Sequence, residues 1–146
     1  MGLSEIEMRL PNGFHDMRLT ALHLNLCDQI AVLEVDVLVG LPDQDVERRD
    51  EYRSALLEFT DVKAFAVDPP DPTSAFRFPG AADVVITDDE KDAFPKKLIS
   101  ALPAGLSFYT IYVRDWLTNV RIAANGIELK WSSKHEKVSG TTGPSL

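Results

Sequence analysis

Apolar and polar residues alternate along two neighbouring stretches near the start of the chain. Leu22, Leu24 and Leu26 recur at every second position of the first stretch. In residues 30–39, alternate positions again share one apolar face, formed by Ala31, Leu33, Val35, Val37 and Val39. A period of two is typical of β-strands, and residues 27–29 are short enough for a tight reversal. Residues 13–40 therefore predict one long hairpin, introduced by a turn at Asn12-Gly13.

Two later regions repeat this pattern on either side of a dipeptide that favours turns. Residues 52–67 alternate except at Thr60-Asp61. Residues 120–131 alternate around Asn125-Gly126, and Asn-Gly is the dipeptide most typical of two-residue β-hairpins. We expect a hairpin in each region. Single strands are predicted at residues 84–87 and 106–113.

The remaining segments predict loops and one short helix. Residues 41–51 are a polar connector, and the prolines of residues 68–80 predict a long loop with a short edge strand at 75–78. The helix is expected to begin at residue 94 or 95 and end at 102, because proline is tolerated in a first helical turn. Residues 1–11 are ambiguous, although Ser4 with Glu7 resembles a capping box.

These elements together predict a mainly β fold. About eight strands joined by short turns favour an antiparallel two-sheet sandwich or a barrel, with one short helix. The alternative is an α+β fold in which the helix covers one sheet. Residues 1–131 are predicted to form a single globular domain, followed by a flexible C-terminal tail at residues 132–146.

Composition and charge narrow the functional classes. The net charge of −8 disfavours nucleic-acid binding, which requires excess lysine and arginine. No stretch has the length of apolar sequence that a membrane helix needs, and the acidic start does not resemble a secretory signal. The single cysteine, Cys27, is compatible with a reducing compartment, so we expect a cytoplasmic protein.

The adjacent pair His15-Asp16 is the candidate catalytic site. A histidine beside a carboxylate in a turn is suited to acid–base chemistry, and it would need a third polar group such as His23, Arg114 or Asp115. The alternative is that His15 and Asp16 stabilise the turn by hydrogen bonds to the backbone.

Acidic residues and one tryptophan are the candidate partner-binding residues. An acidic surface accelerates association with a basic protein, and Trp116 in a charged turn would either cap the core or lie at a binding rim. These candidates are Asp43, Asp45, Glu47, Asp88, Asp89, Glu90 and Trp116. The acids alternate as in calcium loops but lack the glycine and distant glutamate of an EF-hand, so no metal and no cofactor is expected.

Residues 13–16, Gly-Phe-His-Asp, followed by two alternating strands, resemble a set of small uncharacterised bacterial proteins. Those proteins open with a similar Phe-His-Asp turn and end in a strand–Asn-Gly–strand unit, here residues 120–131. In size and acidity the chain is also similar to immunity proteins of bacterial toxin systems, which mask a basic toxin surface. This resemblance implies a protein partner and assigns no particular residues.

Three functional hypotheses follow. The first is a non-enzymatic acidic domain that binds a basic protein, in an immunity or regulatory role. The second is a hydrolase or small-ligand binder centred on His15 and Asp16, which requires a pocket at that turn. The third is a structural homodimer formed through an unpaired edge strand.

Overall fold

A computed structural model describes residues 2–73, 80–88 and 91–132, without the side chain of Val46. The strands are β1 (Arg18–Asn25), β2 (Ile30–Leu38), β3 (Tyr52–Val67), β4 (Ala82–Thr87), β5 (Ser107–Val113) and β6 (Thr118–Trp131). The helices are α1 (Leu3–Arg9), α2 (Val46–Arg49) and α3 (Lys96–Ala101), with 3-10 turns at Lys91–Ala93 and Arg114–Trp116. The strands form a closed barrel in the order β1-β2-β3-β6-β5-β4, with antiparallel neighbours. The predicted mainly β fold is confirmed, as a barrel.

The barrel consists of two three-stranded meanders joined along two seams. β1, β2 and β3 form one meander, and β4, β5 and β6 form the other. The first seam is long, since β3 and β6 pair from Ala55↔Trp131 to Val67↔Val120. The second seam closes the barrel and is short, with Arg18↔Asp83 and Leu19↔Ala82 as its pairs. This short seam positions the candidate site.

Two predicted hairpins are wrong, and the error explains why six strands are found where about eight were expected. Residues 52–67 and 118–131 each form one continuous strand, β3 and β6. The two apparent turns lie against each other: Thr60 pairs with Gly126, and the Asn125 side chain donates a hydrogen bond to Asp61. Asp61 has a positive φ of 52°, and the register shifts between Val62 and Ala64. A bulge of this kind bends a strand so that one strand can serve two faces of a barrel.

The helical predictions were incomplete. α3 lies within the predicted range but begins at Lys96 rather than at 94 or 95 and ends at Ala101 rather than at 102, and α1 and α2 were missed. The capping box at Ser4 is wrong, because α1 starts earlier and the Glu5 carboxylate accepts the Gly2 backbone N–H at 3.3 Å. α2 lies inside the predicted polar connector. The predicted edge strand at 75–78 and the predicted tail beyond residue 132 lie outside the described residues.

The core fills the barrel and continues beneath α1. Every second residue of β2 is buried, as the alternation predicted, and Phe59 meets Tyr109 edge-to-face with ring centroids 5.1 Å apart. Leu3 and Ile6 of α1 belong to the same core. The predicted apolar face of the first strand is only partly used. Leu22 packs on the core, whereas Leu24 near the end of β1 and Leu26 in the turn after it are exposed. The hairpin tip therefore extends beyond the packed part of the barrel.

Candidate functional site

The turn between α1 and β1 is anchored by buried apolar side chains and by one asparagine. Phe14 and Met17 are buried in the core. The Asn12 side-chain amide donates to the carbonyls of Leu38 and Gly40 at 3.0 and 2.7 Å. Together these contacts fix the turn against the end of β2. These side chains thus hold the backbone from 12 to 17, together with the hydrogen bond from the His15 N–H to the Asn12 carbonyl at 3.1 Å.

His15 and Asp16 project from this anchored turn toward solvent. Their side chains are 76% and 55% exposed, and His15 Nε2 lies 3.2 Å from Asp16 Oδ2. Asp16 has a positive φ of 56°, a conformation that aspartate adopts more readily than most residues. Asn12 supplies two hydrogen bonds that secure the turn. The alternative in which His15 and Asp16 secure it by hydrogen bonds to the backbone stays a prediction. An anchored turn that displays two polar groups is typical of a binding or catalytic site.

A groove of about 300 Å³ runs between this turn and β4. β4 lies between β1 and β5 in the barrel, so the chain before β1 and the chain after β5 flank it. The lining residues are Glu7, Asn12, Phe14, His15, Asp16, Met17, Asp83, Val84, Val85, Ile86 and Arg114. The pocket required by the hypothesis centred on His15 and Asp16 therefore exists, and Arg114 is the predicted third polar group that it contains.

Acidic groups predominate in the groove. Glu7, Asp16 and Asp83 contribute carboxylates, and Arg114 is the lining residue with a permanent positive charge. Arg18 approaches Asp83 from outside the lining, with Nε 4.0 Å from Oδ1, while its guanidinium lies over the Tyr52 ring at 4.4 Å. An ion pair of this length between half-exposed groups neutralises little charge. The groove consequently presents an electrostatically negative surface.

One side of β4 is almost unpaired. β5 pairs with β4 from Val84 to Thr87, whereas β1 pairs with β4 at Asp83 and Ala82. The next contact on the β1 side is the hydrogen bond from Val84 N–H to the Met17 carbonyl at 3.2 Å. Beyond Met17 the chain turns away at Asp16. Among residues 2–73, 80–88 and 91–132, no strand continues this side of β4 beside Val85 and Ile86.

The predicted partner-binding acids do not line this groove. Asp43 and Glu47 are exposed on the connector to β3, and Asp45 caps α2 by accepting the Arg48 backbone N–H at 3.2 Å. Asp88 is half-buried at the end of β4. Asp89 and Glu90 lie outside the described residues. Of the described acidic candidates, Asp43, Asp45 and Glu47 thus share one connector, whereas Asp88 follows β4.

The partner-binding candidate Trp116 has structural contacts, and so do His23 and Asp115, two of the groups predicted to accompany His15. Trp116 is half-buried and packs on the core, in agreement with the capping interpretation. His23 lies 2.6 Å from Glu34 on another face of the barrel. The Asp115 carboxylate accepts the Asp83 backbone N–H at 2.9 Å, which fixes the start of β4. These residues support the frame of the groove or lie away from it.

Glu7 and Asp83 line the groove but were not predicted from the sequence. The sequence carried one signal for Glu7, because Leu3, Ile6 and Leu10 have the spacing of an amphipathic helix and would leave Glu7 facing outward. It carried none for Asp83, since only the closure of the barrel brings Asp83 beside the turn.

The side chains of the groove include groups suited to acid–base chemistry and to binding a polar ligand. No group of three or more His, Cys, Asp or Glu side chains suited to a metal occurs in residues 2–73, 80–88 and 91–132. In the same part of the chain, no helix has the length and apolarity to span a membrane. What the geometry shows is an acidic, partly open groove with a histidine at its rim.

Comparison with known proteins adds no assignment to this geometry. No family model, no curated protein and no solved structure matches the chain.

Proposed function

We propose that this protein is a non-enzymatic binding domain whose groove receives a basic surface of a protein partner. The observation that carries the proposal is the convergence of Glu7, Asp16 and Asp83 on one groove, although these residues come from a helix, a turn and a strand. The predicted acids Asp43, Asp45 and Glu47, by contrast, come from a single connector. The overall charge of −8 favours the same class of partner.

The groove carboxylates act mainly on the rate of association and on the choice of partner. Asp16 and Asp83 are each about half exposed, at 55% and 54%, so their attraction to a lysine or arginine is screened by salt. Charge pairs at such sites contribute more to steering than to raw affinity. The affinity would come from desolvated contacts in the groove, to which Val85 and Phe14 contribute apolar surface.

An immunity or regulatory role is one form of this function. An acidic domain that covers the basic surface of a toxin or of a nucleic-acid-binding protein blocks access to that surface by competing for its lysines and arginines. The similarity in size and acidity to toxin-immunity proteins supports this form. It does not depend on catalysis.

The test is a comparative pull-down from a lysate of the source organism, with three baits washed at low and then high salt. The baits are the wild type, the groove variant Glu7→Gln/Asp16→Asn/Asp83→Asn, and the control variant Asp43→Asn/Glu47→Gln/Asp50→Asn. Each variant removes three exposed carboxylates, so the two have the same net charge. Asparagine is chosen at Asp16 because it tolerates a positive φ.

We expect a basic protein to be retained by the wild type and the control, released at high salt, and lost from the groove variant. Equal retention by the two variants would contradict the groove as the docking site. Loss from the control variant alone would move the site to the connector that carries Asp43 and Glu47.

A second candidate function is hydrolysis or small-ligand binding centred on His15 and Asp16. The observation that favours it is the placement of His15, Asp16 and Arg114 around the same groove, with 3.2 Å between the first two side chains. An imidazole beside a carboxylate can take up a proton, and a guanidinium can bind an anionic group.

His15→Ala tests this second candidate. The His15 side chain is 76% exposed, so its removal should change the melting temperature very little. Loss of a hydrolytic or ligand-binding activity with unchanged stability would support the candidate. A large fall in melting temperature would instead make the side chain a structural part of the turn.

A further inference from the structure

We infer that the partner docks by adding a strand to the free side of β4, through an extended segment that carries lysine or arginine. This inference rests on the proposed function and specifies its binding mode. Strand addition is a common way for a peptide to bind a sheet, because the backbone supplies the affinity and alternate side chains supply the specificity.

Hydrogen-bond direction alternates along β4 and identifies the free backbone groups. The Asp83 N–H points toward the β5 side, where Asp115 accepts it at 2.9 Å. The Val84 N–H points to the other side and meets the Met17 carbonyl at 3.2 Å. Because the direction reverses at each residue of a strand, the N–H and C=O of Ile86 point into the groove, beyond the last contact with β1.

The part of the chain that the structure describes leaves this position open. Continuation of β1 backwards would place Asp16 opposite Val85 and His15 opposite Ile86, by the register Arg18↔Asp83. The positive φ of Asp16 diverts the chain into the turn instead, and Asn12 holds the turn away. An incoming segment antiparallel to β4 would therefore pair with Val85 and Ile86, in the register that a longer β1 would have had.

The charges and the exposed apolar surface define the segment. A residue opposite Val85 would share its outward face, and the Val85 side chain is exposed at 36%. A lysine or arginine there would lay its aliphatic stem on Val85 and direct its charged end toward Asp83, two residues along the same face. Asp16 and Glu7 border the same groove. A second copy of this chain is a poorer occupant, since a net charge of −8 opposes self-association at an acidic groove.

The test uses the full chain and a synthetic peptide of alternating lysine and valine. Binding is measured by titration calorimetry, and exchange of the Ile86 amide proton is followed by NMR. One control peptide has every valine replaced by proline, which preserves the charge and removes ladder donors. Another has glutamate in place of lysine. Two N-methylated versions block the backbone N–H groups of alternate residues, one set at a time, because only one set faces β4.

We expect the lysine–valine peptide to bind and to slow exchange of the Ile86 amide by at least about tenfold, since that proton becomes hydrogen-bonded. Methylation of one alternate set should weaken binding by about tenfold, and methylation of the other should have little effect. Val85→Lys should weaken binding by a similar factor, whereas Val85→Glu should preserve it. Both substitutions lie at an exposed position and conserve the fold.

Strand addition is overturned if the proline peptide binds as well as the lysine–valine peptide, or if Ile86 exchange is unchanged on binding. Charge-dependent binding in that case leaves the proposed function intact with docking through side chains alone. Absence of peptide binding also overturns strand addition, and the pull-down decides separately whether the groove binds a basic protein. A concentration-dependent dimer in sedimentation that Val85→Lys abolishes would make a second copy the occupant.

Discussion

The chain contains the dipeptide Asn-Gly twice, and the two copies have opposite structural roles. At Asn12-Gly13 the glycine adopts φ +55°, and the asparagine joins an exposed turn to the end of β2. At Asn125-Gly126 the backbone continues as a strand, and the asparagine binds Asp61 across the bend of β3. Each pair accompanies an aspartate with positive φ, Asp16 in the first region and Asp61 in the second.

The difference between the two regions lies in what the aspartate contacts. The Asp61 carboxylate is satisfied within the fold, by Lys63 at 2.7 Å and by Asn125. The Asp16 carboxylate lies beside the exposed His15 and lines a groove. A polar group satisfied by its neighbours stabilises the structure, whereas one held by a rigid backbone and left facing solvent is available to a partner. The comparison therefore distinguishes a structural bend from a binding turn built from similar residues.

The largest effect should come from the two asparagines. Asn12→Ala removes two hydrogen bonds to part-buried carbonyls and should lower the free energy of unfolding by about 2 kcal/mol. Asn125→Ala removes an exposed hydrogen bond and should cost less than about 1 kcal/mol. Urea denaturation of both variants measures the difference. Equal losses would show that the two Asn-Gly pairs stabilise the fold alike.

Replacement of either glycine by alanine should cause an intermediate loss of stability, with a different physical cause at each position. A Cβ at Gly126 would lie 2.6 Å from Thr60 Oγ1, so Gly126→Ala should cost about 1 kcal/mol through this contact. In a Thr60→Ala background the same change should become neutral or stabilising, because glycine is unfavourable inside a strand.

Gly13→Ala should also cost about 1 kcal/mol, through its positive φ. Its Cβ would lie 2.9 Å from Cγ of Glu7, a flexible side chain that can move away. Glu7→Ala should therefore leave most of the cost in place. Relief by Glu7→Ala comparable to that at Gly126 would contradict the distinction between strained backbone and close contact.

The smallest effect concerns pH. The hydrogen bond from Lys63, followed by that from Asn125, lowers the pKa of Asp61 below its usual value of 3.8. A carboxyl whose pKa is depressed by folding contributes stability above its unfolded pKa, and the contribution disappears as the pH falls through the folded pKa. The melting temperature of the wild type should thus exceed that of Asp61→Asn by a constant margin near neutrality, and the margin should shrink below about pH 4. Asp43→Asn serves as the control, because it removes an exposed carboxylate outside this bend.

Alternation predicted the parts of the fold that depend on local sequence. β2 and β5 were located within one or two residues, because half-buried strands show a period of two. The middles of β3 and β6 were misassigned as hairpins because Thr60-Asp61 and Asn125-Gly126 consist of residues that also favour turns. What selects the strand is the pairing of Thr60 with Gly126, a contact between distant parts of the chain that local propensity does not contain.

The candidate site was also only partly predictable from local sequence. His15 and Asp16 stood out because they are adjacent, and Arg114 was among their proposed partners. The membership of Asp83 depends on the register between β1 and β4, and the free side of β4 depends on where β1 begins. Both are consequences of barrel closure, which no short stretch of sequence encodes.

The short seam between β1 and β4 also bears on how the molecule folds and opens. Each meander joins strands that are adjacent in the chain, whereas the seam joins Leu19 to Ala82 across both meanders. Both seams join residues that are distant in the chain, but the short seam has far fewer pairs to offset the loop-closure cost, so it should be the last part of the ring to form. It should also be the first to separate in native-state fluctuations, because so few pairs hold it. A partner bound beside this seam should stabilise it and slow the separation of the two meanders.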